Sequence, residues 1–132
     1  MILLDTCAIL WSAQDVLTAV SRRRLNTAAR AGNLFWSPIS AWEIATLVRK
    51  GRLKIDEPMD GVIDRMERRG ARVAAVTPHV AQLAGSFGEA FGGDPADRII
   101  VATAVAMGLQ LITRDRRLLK LDGTLGLRVA AC

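Results

Sequence analysis

Short, wholly apolar runs separated by helical patterns recur from one end of the chain to the other, and this alternation constrains the fold more than any other feature. The first run, Ile2-Leu3-Leu4, has no polar face, as expected of a strand buried on both sides within a parallel sheet. Leu34-Phe35-Trp36 has the same character, and Arg72 to Val76, Leu109 to Thr113 and Leu127 to Ala131 complete the strand set. Between them the chain predicts a short helix capped by Thr6 and running through Leu10 and Trp11. A second helix follows from Ser21 to Ala31, stopped by Gly32. Ser40 is read as the cap of a helix from Ala41 to Lys50, and Pro58 as the start of one reaching Arg69. Thr77-Pro78 begins another, and Asp94-Pro95 opens a long helix ending near Met107-Gly108, after a glycine-rich and mobile stretch from Gly85 to Gly93. The expectation is an α/β fold with a five-stranded parallel sheet flanked by helices.

The 132 residues suit one domain over 1–132, and a hydrophobic content of 51% supplies a core. The net charge of +5 favours anionic partners without choosing among nucleic acid, anionic lipid and acidic protein. Cys7 and Cys132 lack the spacing of a disulfide framework or zinc site, which points to a reducing, cytoplasmic setting. His79 is the only histidine, so a His-rich metal site is excluded and a Ser-His-Asp triad is disfavoured. The apolar start carries Asp5 and has no basic leader. The longest apolar stretch, Ile99 to Ile112, includes Thr103, Gly108 and Gln110 and falls short of the ~18 residues of a membrane span, so a soluble chain is expected.

The residues with chemistry to offer are acids. Asp5 and Asp115 stand just beyond strand ends, Glu43 in the first turn of a helix that follows a strand, and Asp97 in the first turn of the long helix. Open α/β sheets place functional groups at such positions. Carboxylates are hard oxygen ligands suited to Mg²⁺ or Mn²⁺, and several brought together repel one another unless a cation intervenes or their pKa values rise. Each acid also has a plainer reading. Ser40-Ala41-Trp42-Glu43 matches a capping box, Asp97 favours the helix dipole, and Asp115 fits a turn between basic neighbours. Asp5 has the least ordinary position, at the rim of the core.

Taken in order, Ile2-Leu3-Leu4-Asp5-Thr6, Ser37-Pro38-Ile39-Ser40-Ala41-Trp42-Glu43-Ile44, Arg49-Lys50-Gly51-Arg52-Leu53, Asp94-Pro95-Ala96-Asp97-Arg98 and Thr113-Arg114-Asp115 resemble the PIN-domain toxins of toxin–antitoxin pairs, the VapC-type ribonucleases. The ordered set spans nearly the whole chain. The resemblance implies sheet order 3-2-1-4-5, with Asp5 facing Asp115, and acidic-site positions for Asp5, Glu43, Asp97 and Asp115, of which Asp5 and Asp97 are the firmest ligands. Thr6 and Thr113 match polar positions beside the site, and Asp94 is read as a helix cap. Ala96 stands where relatives often carry an aromatic, a departure that affects packing more than chemistry.

It further implies a Mg²⁺- or Mn²⁺-dependent endoribonuclease whose activated water leaves 5′-phosphate and 3′-hydroxyl ends. A VapB-like antitoxin is implied in a groove made by the helices after strands one and two, and so is a homodimer. No histidine is required for such chemistry. Arg114, Arg116 and Arg117 flank a site acid and are the candidate phosphate contacts. Arg98 is read as pairing with an acid or supporting its helix, and Trp11, Trp36 and Trp42 as packing groups. Alternatives are a PIN nuclease of RNA processing and an inactive PIN scaffold. A dehalogenase-type phosphatase needs a second aspartate where Cys7 stands.

Overall fold

The structure, a computed structural model, describes residues 1–14 and 16–132. Strands β1 (Ile2–Leu4), β2 (Leu34–Trp36), β3 (Arg72–Val73), β4 (Gln110–Thr113) and β5 (Arg128–Ala131) form one sheet in the order β3-β2-β1-β4-β5. Every pairing is parallel. The α/β expectation and its strand order therefore hold. Leu3 sits opposite Phe35 on one side and Leu111 on the other, so β1 is the central strand.

Alternation along β1 divides the core. Leu3, Phe35 and Leu111 project to one face, where they pack with Ile100, Val101 and Val80. Ile2, Leu4, Trp36 and Ile112 project to the other, against Ile9, Leu25, Ile44 and Met66. Helices α1 (Thr6–Ala13), α2 (Ala19–Arg30), α3 (Pro38–Arg49) and α4 (Met59–Arg68) cover that second face, and α5 (Pro78–Ser86) and α6 (Pro95–Met107) cover the first. A strand in the middle of such a sandwich has no solvent side, which is why Ile2-Leu3-Leu4 carries no polar residue.

Several helix starts differ from the sequence reading. Asp5, not Thr6, caps α1, its side chain accepting from Ala8 N at 2.6 Å. Thr18 rather than Ser21 caps α2 and accepts from Ser21 N. Ser37 rather than Ser40 caps α3, because Pro38 occupies the first helical position, where its fixed φ and missing N–H suit the helix. Three shorter corrections concern strands: β3 ends at Val73 rather than Val76, β4 begins at Gln110 and β5 at Arg128. β3 lies at the sheet edge with Val73 exposed, so little burial rewards extending it. A short helix α7 (Arg116–Leu119) and 3₁₀ turns at Glu89–Phe91 and Thr124–Gly126 were not anticipated. Gly108 ends α6 at φ 63°, the left-handed conformation glycine adopts without Cβ strain.

The glycine-rich stretch is held in place more firmly than its composition suggests. Arg98 donates to the carbonyls of Gly92 and Phe87, each at 2.7 Å, and to Gly88 at 3.2 Å and Ala84 at 3.3 Å. Its partners are thus backbone oxygens, not an acid. The Phe87 and Phe91 rings stack at 4.4 Å, closing the turn upon itself.

Candidate active site

Parallel pairing brings the C-terminal ends of β1 and β4 together, and the residues that follow them meet there. Asp5 is 3% exposed and Thr113 fully buried. The Thr113 hydroxyl donates to Asp5 Oδ2 and accepts from Asp115 N at 2.9 Å, so one threonine joins the two strand-end acids. On the neighbouring side the Thr6 hydroxyl donates to Ser40 Oγ at 3.0 Å, tying the start of α1 to the first turn of α3. Both threonines expected beside the site therefore do structural work at its walls.

The cap of α3 alters the reading of Glu43. With Ser37 as cap, Glu43 lies in the second turn and Ser40 in the first, so Ser40-Ala41-Trp42-Glu43 is no capping box. Glu43 is instead directed to the start of α6: one carboxylate oxygen each from Glu43, Asp94 and Asp97 lies within 4.8 Å of the others. Asp94 does cap α6, accepting from Ala96 N at 2.9 Å and Asp97 N at 3.2 Å, and belongs to the trio as well. Its spacing from Asp97 in Asp94-Pro95-Ala96-Asp97 could have revealed this, since the cap and third helical positions lie on one side of a first turn. Asp5 and Asp115 stand outside the trio but within its electrostatic reach.

The consequences for ionisation are uneven. Burial, then the charges of Asp94, Asp97 and Asp5, pushes Glu43 up to about 7. Its Oε2 is buried with no hydrogen-bond partner among the described residues. Burial and Asp94 push Asp97 up to about 6, against the attraction of Arg117. Burial raises Asp5, opposed by the hydrogen bonds from Thr113 and Ala8. Asp115 alone is lowered, chiefly by the side-chain hydrogen bond from Arg117. Arg117 reaches Asp115 Oδ2 at 2.8 Å and Asp97 Oδ2 at 3.3 Å, which makes it the cation of the cluster.

The other basic candidates are placed differently. Arg114 lies over the Trp11 ring at 4.1 Å and donates to the Cys132 carbonyl at 3.1 Å, so it secures the C-terminal strand to α1. Arg116 is exposed, with no partner among the described residues. Trp36 is in the core, whereas Trp42 is 55% exposed on α3.

A model of the PIN domain matches residues 2–124. This chain belongs to the PIN-domain family. Among relatives of this PIN-domain chain is ribonuclease VapC22 of Mycobacterium tuberculosis, 36% identical over 123 residues, an alignment covering 89% of this chain and 88% of that protein. Three solved structures share the fold. VapBC2 from Rickettsia felis, bound to a promoter DNA fragment, superposes with a TM-score of 0.72 at 19% identity, covering 100% of this chain and 99% of the other. A toxin–antitoxin complex from Klebsiella pneumoniae gives 0.61 at 21% identity, covering 98% and 96%. FitAB bound to a DNA fragment gives 0.54 at 21%, covering 99% and 94%.

Proposed function

We propose that this PIN domain is a divalent-cation-dependent endoribonuclease and the toxin of a toxin–antitoxin pair. The observation that carries the reading is the convergence of Glu43, Asp94 and Asp97, with Asp5 and Asp115 nearby, at the C-terminal edge of the sheet. Its relationship to ribonuclease VapC22 supplies the substrate class. Residues 1–132 are taken as one domain, because β5 lies beyond the matched span yet pairs with β4 along its length.

The donor set fits a hard cation. Acids raised by burial and then by one another's charge, with the buried Glu43 Oε2 lacking a donor among the described residues, are the environment that Mg²⁺ or Mn²⁺ relieves. Asp5, Glu43, Asp97 and Asp115 are assigned as its ligands, with Asp94 added to them from its place in the trio. Such an ion, when bound, polarises a phosphodiester and makes a water acidic enough to attack near neutral pH. The chain's own groups provide the frame. Thr113 fixes the Asp5 carboxylate and the Asp115 backbone, and Arg117 holds Asp115 and Asp97 at a shared edge. Glu43, held near about 7, takes up a proton as pH falls through neutrality, which lessens repulsion while the cluster is otherwise uncompensated. Arg116, exposed and unengaged, is assigned to substrate phosphate.

For the antitoxin, the sheet face bearing α1 and α2 offers a cavity of about 230 Å³ lined by Leu17, Leu25, Asn26, Met66 and Arg69. Val16 and Val20 stand exposed in the neighbouring sequence, at 50% and 70%. An apolar helix face of a VapB-like partner suits this surface. α4, one of the helices that follow β2, contributes to it through Met66.

Purified, partner-free protein incubated with structured RNA and Mg²⁺ or Mn²⁺ should cleave it, and Asp5→Asn and Asp97→Asn should not. Cleavage that survives both substitutions, or excess chelator, would defeat the cation site. Absence of cleavage on every RNA tested would favour a binding scaffold.

A further inference from the structure

Next to the acids is a cavity of about 290 Å³ that shares Asp94 and Asp97 with the proposed cation site and extends beyond it. Its apolar lining comes from Phe91, Leu118 and Leu121, and its polar rim includes Asp97, Arg117 and Lys120. Asp97 and Arg117 thus belong both to this cavity and to the acidic cluster, so whatever fills the cavity abuts the groups proposed to act on the phosphodiester.

Phe91 is presented on a firm support. Phe87, itself buried, covers one face of its ring at 4.4 Å and an interplanar angle of 17°. The turn between the two rings is held by Arg98 through the carbonyls of Phe87, Gly88 and Gly92. The result is an aromatic surface, fixed from behind, in a hollow just under the ~300–1,000 Å³ of sites that engulf drug-sized ligands. A single planar ring system fits that size. Exposed Lys120 and the outer part of Arg117, whose side chain is 73% exposed, give the rim the charge that a phosphodiester chain requires.

We propose that this cavity receives one unpaired nucleobase of the substrate strand, next to the cleaved bond, stacked against Phe91. Phe91 is then a specificity-determining residue, and substrate bases must be splayed out of a duplex to be cut. The proposal rests on the ribonuclease reading above and adds to it a base-binding subsite built on Phe91. Stacking on an aromatic tolerates any base, whereas the carboxylate of exposed Glu89 in the lining favours bases that present an exocyclic amino group.

The test uses the full chain carrying Asp5→Asn, so that RNA stays intact, and single-stranded RNA substituted with 5-iodocytidine, whose base keeps an exocyclic amino group. Irradiation followed by mass spectrometry should place the crosslink on Phe91. In anisotropy titrations, Phe91→Leu should weaken single-stranded RNA about tenfold, leave duplex RNA of equal length unchanged, and Phe91→Tyr should restore the parent affinity. Crosslinks confined to other segments, or equal single-strand affinity in Phe91→Leu, overturn the proposal while leaving the ribonuclease reading intact when the unsubstituted protein still cleaves. If that protein neither binds nor cleaves RNA, both readings fall together. The crosslink is read with Phe91 in place, so a folding defect in the leucine variant does not decide the outcome.

Discussion

In chelator the protein should lose stability as pH rises from about 4 to about 7, the reverse of the trend for a domain whose acids are salt-bridged. Near pH 4 the carboxyls of Glu43 and Asp97 are largely protonated in the folded chain and beginning to ionise in the unfolded one. Their folded values are about 7 and about 6, against ordinary values of 4.5 and 3.8. Across the interval the native state therefore holds protons that the unfolded state has released, and each further rise in pH favours unfolding. At full value the displacements amount to roughly 3 kcal/mol each, at about 1.4 kcal/mol per pH unit. Both groups keep some solvent contact, and their mutual repulsion enters each value, so about 3 kcal/mol for the pair is the expected loss. Asp115 does not offset it, because its lowered value places its contribution above the ordinary carboxylate range, to be lost only in stronger acid. Urea unfolding at several pH values, with chelator and with Mn²⁺, measures the effect. Saturating Mn²⁺ at a hundredfold over its Kd should return about 2.7 kcal/mol at neutral pH. The Glu43→Gln Asp97→Asn double variant should show a shallower slope, the remainder coming from buried Asp5, whose carboxyl is also raised. A flat or rising profile in chelator, or an unchanged slope in that variant, would refute the account.

Thr113→Val removes the donor to Asp5 and the acceptor for Asp115 N in a fully buried position, and should cost about 1–3 kcal/mol in urea unfolding, with Thr113→Ser recovering most of it. Arg117→Gln frees two carboxylates from an internal cation and should tighten Mn²⁺ binding a few-fold in calorimetry, within the ~0.2–1 kcal/mol scale of exposed ion pairs; weaker binding would mean that Arg117 instead positions Asp115 as a ligand. Arg98→Ala strips the carbonyls of Ala84, Phe87, Gly88 and Gly92 of their shared donor, and hydrogen exchange should accelerate in residues 84–92 while the β1 and β4 amides keep their protection.

The acid positions were legible in the order of motifs, and their surroundings were not. Asp5 was conspicuous because a carboxylate directly after a wholly apolar strand has little local reason to be there. Glu43 passed locally for part of a capping box. Only the placement of Ser37 as the cap, with Pro38 behind it, shows that the local explanation fails. In the sequence Asp94 reads as a cap alone, and it is one. Its second place in the acidic trio depends on the start of α3 meeting the start of α6, a contact between segments some fifty residues apart in the chain. Arg98 and Arg114 likewise looked like potential partners for charges and are spent on carbonyls and an aromatic ring.

What the sequence determined by itself was the layered α/β arrangement and the rim on which the acids stand. Strands buried on both faces must be apolar throughout, glycine and proline punctuate the helices, and those demands are written in consecutive residues. Tertiary structure decided which of several nearby Ser, Thr and Asp residues would cap each helix, which acids would share one cluster, and which arginine would face them. Those choices depend on burial and on partners from distant segments, and burial is what separates Glu43 and Asp97, held well above the ordinary range, from Asp115, kept below it by Arg117.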